Sequence, residues 1–436
     1  MTNIKQYLFW WGISLLLMPT ILWAQCPEKP LTCPNSEYTI KFSHVVAEDT
    51  PKGSGANRFE ELVEERLDCR VEVIVYPNAE CYNDTQVMGE LILGHVQMAA
   101  PSVSKFEDYT KKMQVFDLPF LFNDIAALDF FQQGDLGKEI VSSIEEFGLL
   151  SLGHWHNGMK QIATTRPLTG PADMASLKCR TQPSDVLEAQ FKALNVTPID
   201  LPFDKVCEAL QSNVVHCWEN TWSNLEQKLC DVKQYLYETN HGVIDYLVVT
   251  NAAFWNGLPE DIRIPLKVIL DEVTREVNSQ ANRFNRNAYN RLLNNEAVEV
   301  QNLNKSQRVQ WRSAMQKVWE EFDIGSISPP SFTFDDKGGG TLFIPALAVP
   351  PFGVFEVNMR AEAFNSPMEF VLPEVNYANL SPPPLAKFFI GTGKIEIPLV
   401  KVIGIGNYYL EMNVIGDEPL RFSLSLDEEN LIPYPE

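Results

Sequence analysis

Positive charge is scarce in this chain. Its 436 residues carry 35 Lys and Arg against 57 Asp and Glu, a formal net charge of −22 at pH 7. Nucleic-acid binding needs clustered cations that neutralise phosphates, so a DNA or RNA partner is excluded, and any anion bound here must be held by a local positive site. The marks of catalysis are missing too. There is no C-x-x-C pair of a zinc or redox centre, no H-E-x-x-H and no G-x-S-x-G. "GTGK" (391–394) and "GIG" (404–406) lack the strand-to-helix context of nucleotide loops. His154 and His156 have the spacing of metal ligands on a strand, but no third and fourth ligand accompanies them. His216 and Cys217 are strand neighbours facing opposite ways, so they form no thiol–imidazole pair. No catalytic residue, metal or cofactor is expected, and the chain does not read as an enzyme.

What is present points outside the cytoplasm. Residues 1–25 hold one lysine, a long apolar run, Pro19 and then Ala24, the pattern of a secretory signal peptide. An uncleaved membrane anchor and lipid attachment at Cys26 are the alternatives, the latter opposed by Gln25 where a small residue belongs. The eight cysteines, an even number, suit disulfides in an oxidising compartment. Sequence proximity favours the pairs Cys26 with Cys33 and Cys69 with Cys81 among 105 connectivities.

Length and the 45% hydrophobic content allow two or three packed domains. After a short linker, 26–37, "YTIKFSHV", "PKGSGANRFEELVEERL" and "VEVIVYP" read as strand, helix and strand. Alternation resumes between Leu150 and Thr250, with strands near "LLSLGHW", "LKCRTQ" and "VVHCWEN". This is an α/β pattern, in which ligands sit beyond the carboxyl ends of strands. From Pro259 the texture becomes long helix, continuous once past Pro265, followed by "NKSQRVQWRSAMQKVWEEF" with Asn304 and Gln307 placed as a capping box. Beyond Gly325, "SPPS", "KGGG", "VPPFG" and "SPPPL" punctuate short alternating runs, which indicates a small all-β module over 327–436. From Ser331 onward it has 6 Lys and Arg against 14 Asp and Glu, a net of −8, hence no basic face.

The stretches "SHVVAEDTPKGSGANRFEELVEERL", "VFDLPFLFND", "HNGMKQIATTRPL", "LKCRTQPSDVLEAQFKALNVTPIDLPFDKVCEALQSNVVHCWENTWSN" and "TNHGVIDYLVVTNAAFWNGLPEDIR" together resemble the solute-binding proteins of tripartite ATP-independent periplasmic (TRAP) transporters, of the dicarboxylate-receptor type. The resemblance spans roughly residues 38–323. It implies a periplasmic, two-lobed type II binding-protein fold that closes on a small organic acid and presents it to the permease subunits in the membrane. Lobe I would take roughly 38–155 and 245–265, lobe II roughly 156–244 and 298–325, with long helices between them. Receptors of this type end soon after those helices, so the β module is a departure; a ligand sensor or scaffold acting through that module is the alternative function.

The family's "L-K-x-R" arginine, which holds the ligand carboxylate, falls on Arg180. Its guanidinium fork matches a carboxylate with two parallel hydrogen bonds. Lys160 stands where relatives usually have a second arginine, and Asn157, which begins the same turn, is a further expected ligand contact. Asn220 matches a ligand-binding asparagine, and Glu219 beside it would orient the site. Trp222 suits either stacking on a ligand or the core. From lobe I, His44, Glu80 and Ser102 are placed for polar contacts.

Overall fold

The computed structural model describes residues 26–322, 330–335, 339–349, 353–361, 367–377, 386–389, 391–402, 406–417, 420–426 and 430–433. The signal-like segment 1–25 lies outside them. No helix among the described residues is long and apolar enough to cross a membrane.

Two sheets form the lobes. The first is built from Tyr38–Ser43 (β1), Val71–Tyr76 (β2), Met98–Ala99 (β3), Leu149–Met159 (β4) and Val243–Asn251 (β10), in the order β2-β1-β3-β10-β4. Its opening unit is the expected one: β1 and β2 pair in parallel from Tyr38↔Val71 to Ser43↔Tyr76, joined by the helix Pro51–Arg66. Thr50 caps that helix by accepting from the Gly53 amide, and Pro51 takes the first-turn position that its fixed φ favours. The second sheet is built from Gln161–Thr164 (β5), Lys178–Thr181 (β6), Thr197–Asp200 (β7), Cys217–Asn220 (β8), Gln234–Tyr237 (β9) and Val298–Gln301 (β11), in the order β11-β9-β5-β8-β6-β7.

The chain crosses between the sheets at Met159–Gln161 and again between Tyr237 and Val243. A helix of 34 residues, Glu260–Leu293, spans both lobes over about 51 Å. Its first half buries Ile262, Leu266, Ile269 and Val273 in the lobe I core, and its far end buries Ala288 and Leu292 in lobe II. Pro265 lies inside this helix and forgoes only one backbone bond, so the helix begins earlier than its sequence suggests. The capping box of Asn304 and Gln307 forms at the head of Lys305–Gln316.

The disulfides correct the sequence-based pairing. Cys26 joins Cys81 and Cys33 joins Cys69; the remaining bridges are Cys179–Cys217 and Cys207–Cys230. The reason is tertiary: Glu72 at the start of β2 accepts hydrogen bonds from the Thr32 and Cys33 amides at 2.9 and 2.6 Å, which holds this stretch beside the turn bearing Cys69. The segment read as a linker is thus stitched to lobe I.

The C-terminal strands are Ser331–Phe334 (β12), Gly340–Val349 (β13), Gly353–Ala361 (β14), Met368–Tyr377 (β15), Ala386–Phe389 (β16), Lys394–Val402 (β17), Gly406–Asp417 (β18), Leu420–Leu424 (β19) and Leu431–Pro433 (β20). Pairing runs β13-β14-β15-β19-β18-β17-β16 and returns from β16 to β13, curling the sheet round its own core of Leu342, Ile344, Met359, Ile395, Met412 and Phe422. The module meets the rest of the protein through a small apolar contact of Val309, Tyr409 and Ile432, the Lys305–Glu411 pair at 2.6 Å and a Lys387–Asp124 pair. With a separate core and so slight an apolar contact, deletion of 331–436 is expected to leave a folded protein whose ligand affinity changes by less than about threefold. Calorimetry on the truncated chain checks this; aggregation or a large loss of affinity would make the module part of the receptor core.

Candidate functional site

A cavity lies between the lobes where the carboxyl ends of several strands converge. Lobe I contributes Ser43 and His44 at the end of β1, Ser102 beyond β3 and Tyr246 on β10; lobe II contributes Arg180 from β6 and Asn220 from β8. Parallel strands bring both lobe II residues to the same edge, because β6 and β8 run in one direction.

Arg180 is only 2% exposed. Its Nε donates to the Leu201 carbonyl at 2.8 Å, whereas among the described residues its Nη2 has no hydrogen-bond partner, and the nearest carboxylate oxygen, Asp84 Oδ2, is 3.9 Å away. Burial lowers the guanidinium pKa, a sign of how poorly its charge is solvated. Two lysines share the region. Lys52 donates to the Ala100 carbonyl at 3.0 Å and sits 3.6 Å above the Tyr246 ring, and desolvation brings its ammonium down to about 7. Lys105 lies 3.3 Å from Asp84 Oδ2 and is likewise depressed by burial. His44 is buried and neutral, its pKa pushed to about 3 by desolvation and then by Lys52. Arg180 and Lys105 therefore share one buried carboxylate, Asp84, with Asp200 also acting on both, and Lys52 adds a part-protonated ammonium, so the site is net positive. Asn220 accepts at Oδ1 from the Thr221 amide and from Asn224 Nδ2, which leaves its donor end for the cavity.

Residues 42–324 match the family described as bacterial extracellular solute-binding protein, family 7. This chain belongs to that family. The C4-dicarboxylate-binding periplasmic protein DctP of Shewanella loihica is 45% identical over 324 residues, covering 74% of this chain and 93% of its own. A TRAP periplasmic solute-binding protein of Pseudomonas aeruginosa with bound L-malate is 44% identical, with a TM-score of 0.64 over 65% of this chain and 100% of its own. The counterpart from Shewanella oneidensis with bound succinate is 45% identical, with a TM-score of 0.65 over 66% and 95%. The two-lobed type II fold of these proteins is the fold of residues 38–322 here. The β module lies beyond the family match.

Not every expected residue of this family 7 protein reaches the cavity. Lys160 is fully buried but faces Glu219 at 2.7 Å, and Glu219 also accepts from His241 Nε2 and Gln190 Nε2, each at 2.7 Å. The lysine on one lobe crossing is thus paired with a lobe II carboxylate that also accepts from the histidine on the other crossing, whose pKa burial lowers, so the Lys160 charge is taken up by Glu219. Asn157 stands behind the wall, donating to the Tyr246 hydroxyl and accepting from Thr221 and Ser223. Trp222 belongs to the lobe II core, edge-on to Tyr289 with centroids 5.0 Å apart, so it is a packing residue and no stacking platform. Glu80 is exposed and paired with Lys29 at 2.7 Å, and the carboxylate at the cavity is Asp84 instead. His154 and His156 both bond to the buried Asp245, at 2.6 and 2.8 Å.

Lys52, Asp84 and Lys105 were missed from sequence. One signal did exist for Lys52: it occupies the first turn of Pro51–Arg66, where the helix dipole opposes a cation, so a lysine there needs another reason. Asp84 sits in an irregular segment and Lys105 in the single 3-10 turn Val103–Phe106, both too short for a periodicity to flag them.

Proposed function

We propose that the protein is a periplasmic solute receptor that closes its lobes on a small dicarboxylate and delivers it to the membrane subunits of a TRAP transporter. The observation that carries this reading is the buried Arg180 Nη2, without a hydrogen-bond partner among the described residues, in a cavity whose buried cations outnumber its one buried carboxylate. A dianion would neutralise that excess, and removal of water as the lobes meet would strengthen each contact. Closure follows because the ligand touches both lobes only when they are together. Relatives that bind malate and succinate support the size and class of ligand, and the family's role supports transport over catalysis.

Calorimetry with succinate, its monoamide and acetate tests the reading. Succinate is expected to bind at least tenfold tighter than the monoamide, about 1.4 kcal/mol; equal affinities would remove the dianion from the proposal.

Binding should also depend on pH through Lys52, which is faced by Asp84, Lys105, His44 and the Tyr246 ring. In the ligand-free site its ammonium titrates at about 7, and a bound anion raises that value. Affinity therefore falls as pH rises through 7, because binding must then take up a proton, and the Lys52 contribution to the slope vanishes well below 7, where the ammonium is already protonated. A loss of about tenfold between pH 7 and 8.5 is expected, and Lys52→Met should abolish the slope. A flat profile in the native protein would show that Lys52 carries no charge to the ligand.

A further inference from the structure

The strands that carry Arg180 and Asn220 are neighbours joined over a short length away from the cavity, where the His216 amide also donates to the Lys178 carbonyl at 2.7 Å. β6 pairs with β7 over four residues and β5 with β8 over four, whereas β6 and β8 share a single register pair, Cys179↔Cys217. That pair is a disulfide, buried on both sides, and it lies on the sheet face opposite Arg180, packed with Leu177, Phe191 and Trp311. Beyond it the strands run toward the cavity, with Arg180 one residue further on and Asn220 three, about 3 and 10 Å at the rise of a strand. The Arg180 side chain is tethered laterally to Leu201, past β7, and no register pair beyond the bridge ties β6 to β8.

We infer that the Cys179–Cys217 bridge is a positioning device for ligand binding, holding the guanidinium of Arg180 at a set distance from the amide of Asn220. This rests on the proposed role of Arg180. A bidentate carboxylate contact depends on the placement of both nitrogens, so a small drift between the strands reduces it. The other lobe II bridge, Cys207–Cys230, joins residues that do not line the cavity and serves as the internal comparison.

The test measures succinate affinity by calorimetry and unfolding temperature for Cys179→Ala/Cys217→Ala and for Cys179→Ala/Cys217→Val, which refills part of the lost volume. Each is made in the native and the Arg180→Lys backgrounds. Removing the bridge is expected to weaken binding about tenfold in the native background and less than twofold in the Arg180→Lys background, where the guanidinium fork is already gone. The drop in unfolding temperature should be the same in both. Cys207→Ala/Cys230→Ala should lower the unfolding temperature and leave affinity unchanged. Unchanged affinity in the folded Cys179/Cys217 variants, equal losses in both backgrounds, or failure of both variants to fold would each reduce the bridge to a stabilising staple and overturn the inference. Arg180→Ala separates the two levels: if that variant binds normally, the site reading itself has failed.

Discussion

Arg180→Ala is expected to weaken succinate binding by more than a hundredfold, at least about 2.7 kcal/mol, without lowering the unfolding temperature of the empty protein. Both halves follow from one fact: the guanidinium is buried with one nitrogen unsatisfied and its nearest carboxylate 3.9 Å off. A charge in that state destabilises the empty protein, and its removal relieves a desolvation cost while taking away the group proposed to meet the ligand. Arg180→Lys keeps the charge and loses the planar fork, so a loss of at least tenfold is expected there. Calorimetric titration beside a thermal scan checks the pair. Native affinity in Arg180→Ala would sink the site, and a large thermal destabilisation would mean that the residue is a structural cation.

Glu219→Gln should behave in the opposite sense, with a large loss of stability. The carboxylate is 4% exposed and accepts from Lys160, His241 and Gln190. Burial alone would raise its pKa, but Lys160 and His241 together hold it well below the usual carboxylate range. Neutralising it strands Lys160 as an unpaired charge with no exposed surface, a class of change that costs about 3–5 kcal/mol. Urea unfolding at pH 7 measures it, and a change under about 1 kcal/mol would show that water or a rearrangement compensates Lys160. The sign with pH is also set: a depressed carboxyl contributes stability that is complete above its unfolded value near 4.5 and is lost as pH falls toward the lower folded one. The native protein should lose part of its stability over that acid range, and the glutamine variant should lose less. Restoring stability in Lys160→Met/Glu219→Gln would attribute the loss to the stranded lysine.

Lys160 illustrates where reading a sequence stops. Its place in "HNGMKQ" was legible as a cation, and the resemblance made it a second ligand contact; its actual partner is a carboxylate 59 residues away, brought near by the β5–β8 pairing. Trp222 was left open between a ligand and the core, since an aromatic at a turn looks alike whether it faces a cleft or Tyr289, and the structure places it in the core. The cysteine pairs chosen for proximity were displaced by bridges that span 55 and 36 residues. Local features fared better. The strand, capped helix and strand of Tyr38–Tyr76 and the capping box at Asn304 formed where periodicity and cap residues placed them, because those signals depend on neighbours within a few residues.

From the sequence alone came the opening strand–helix–strand unit, the long helices, the β-rich C-terminal stretch, the family and an arginine on a buried strand. These depend on periodicity, on turn residues and on motif spacing, all of which are local. Only the tertiary structure decided how the charges are placed: residues 52, 84 and 180 line the cavity, with 105 paired to 84, while 160 and 219 cancel each other behind it. Electrostatic energy falls with distance through space and rises with burial, and neither quantity is written in separation along the chain.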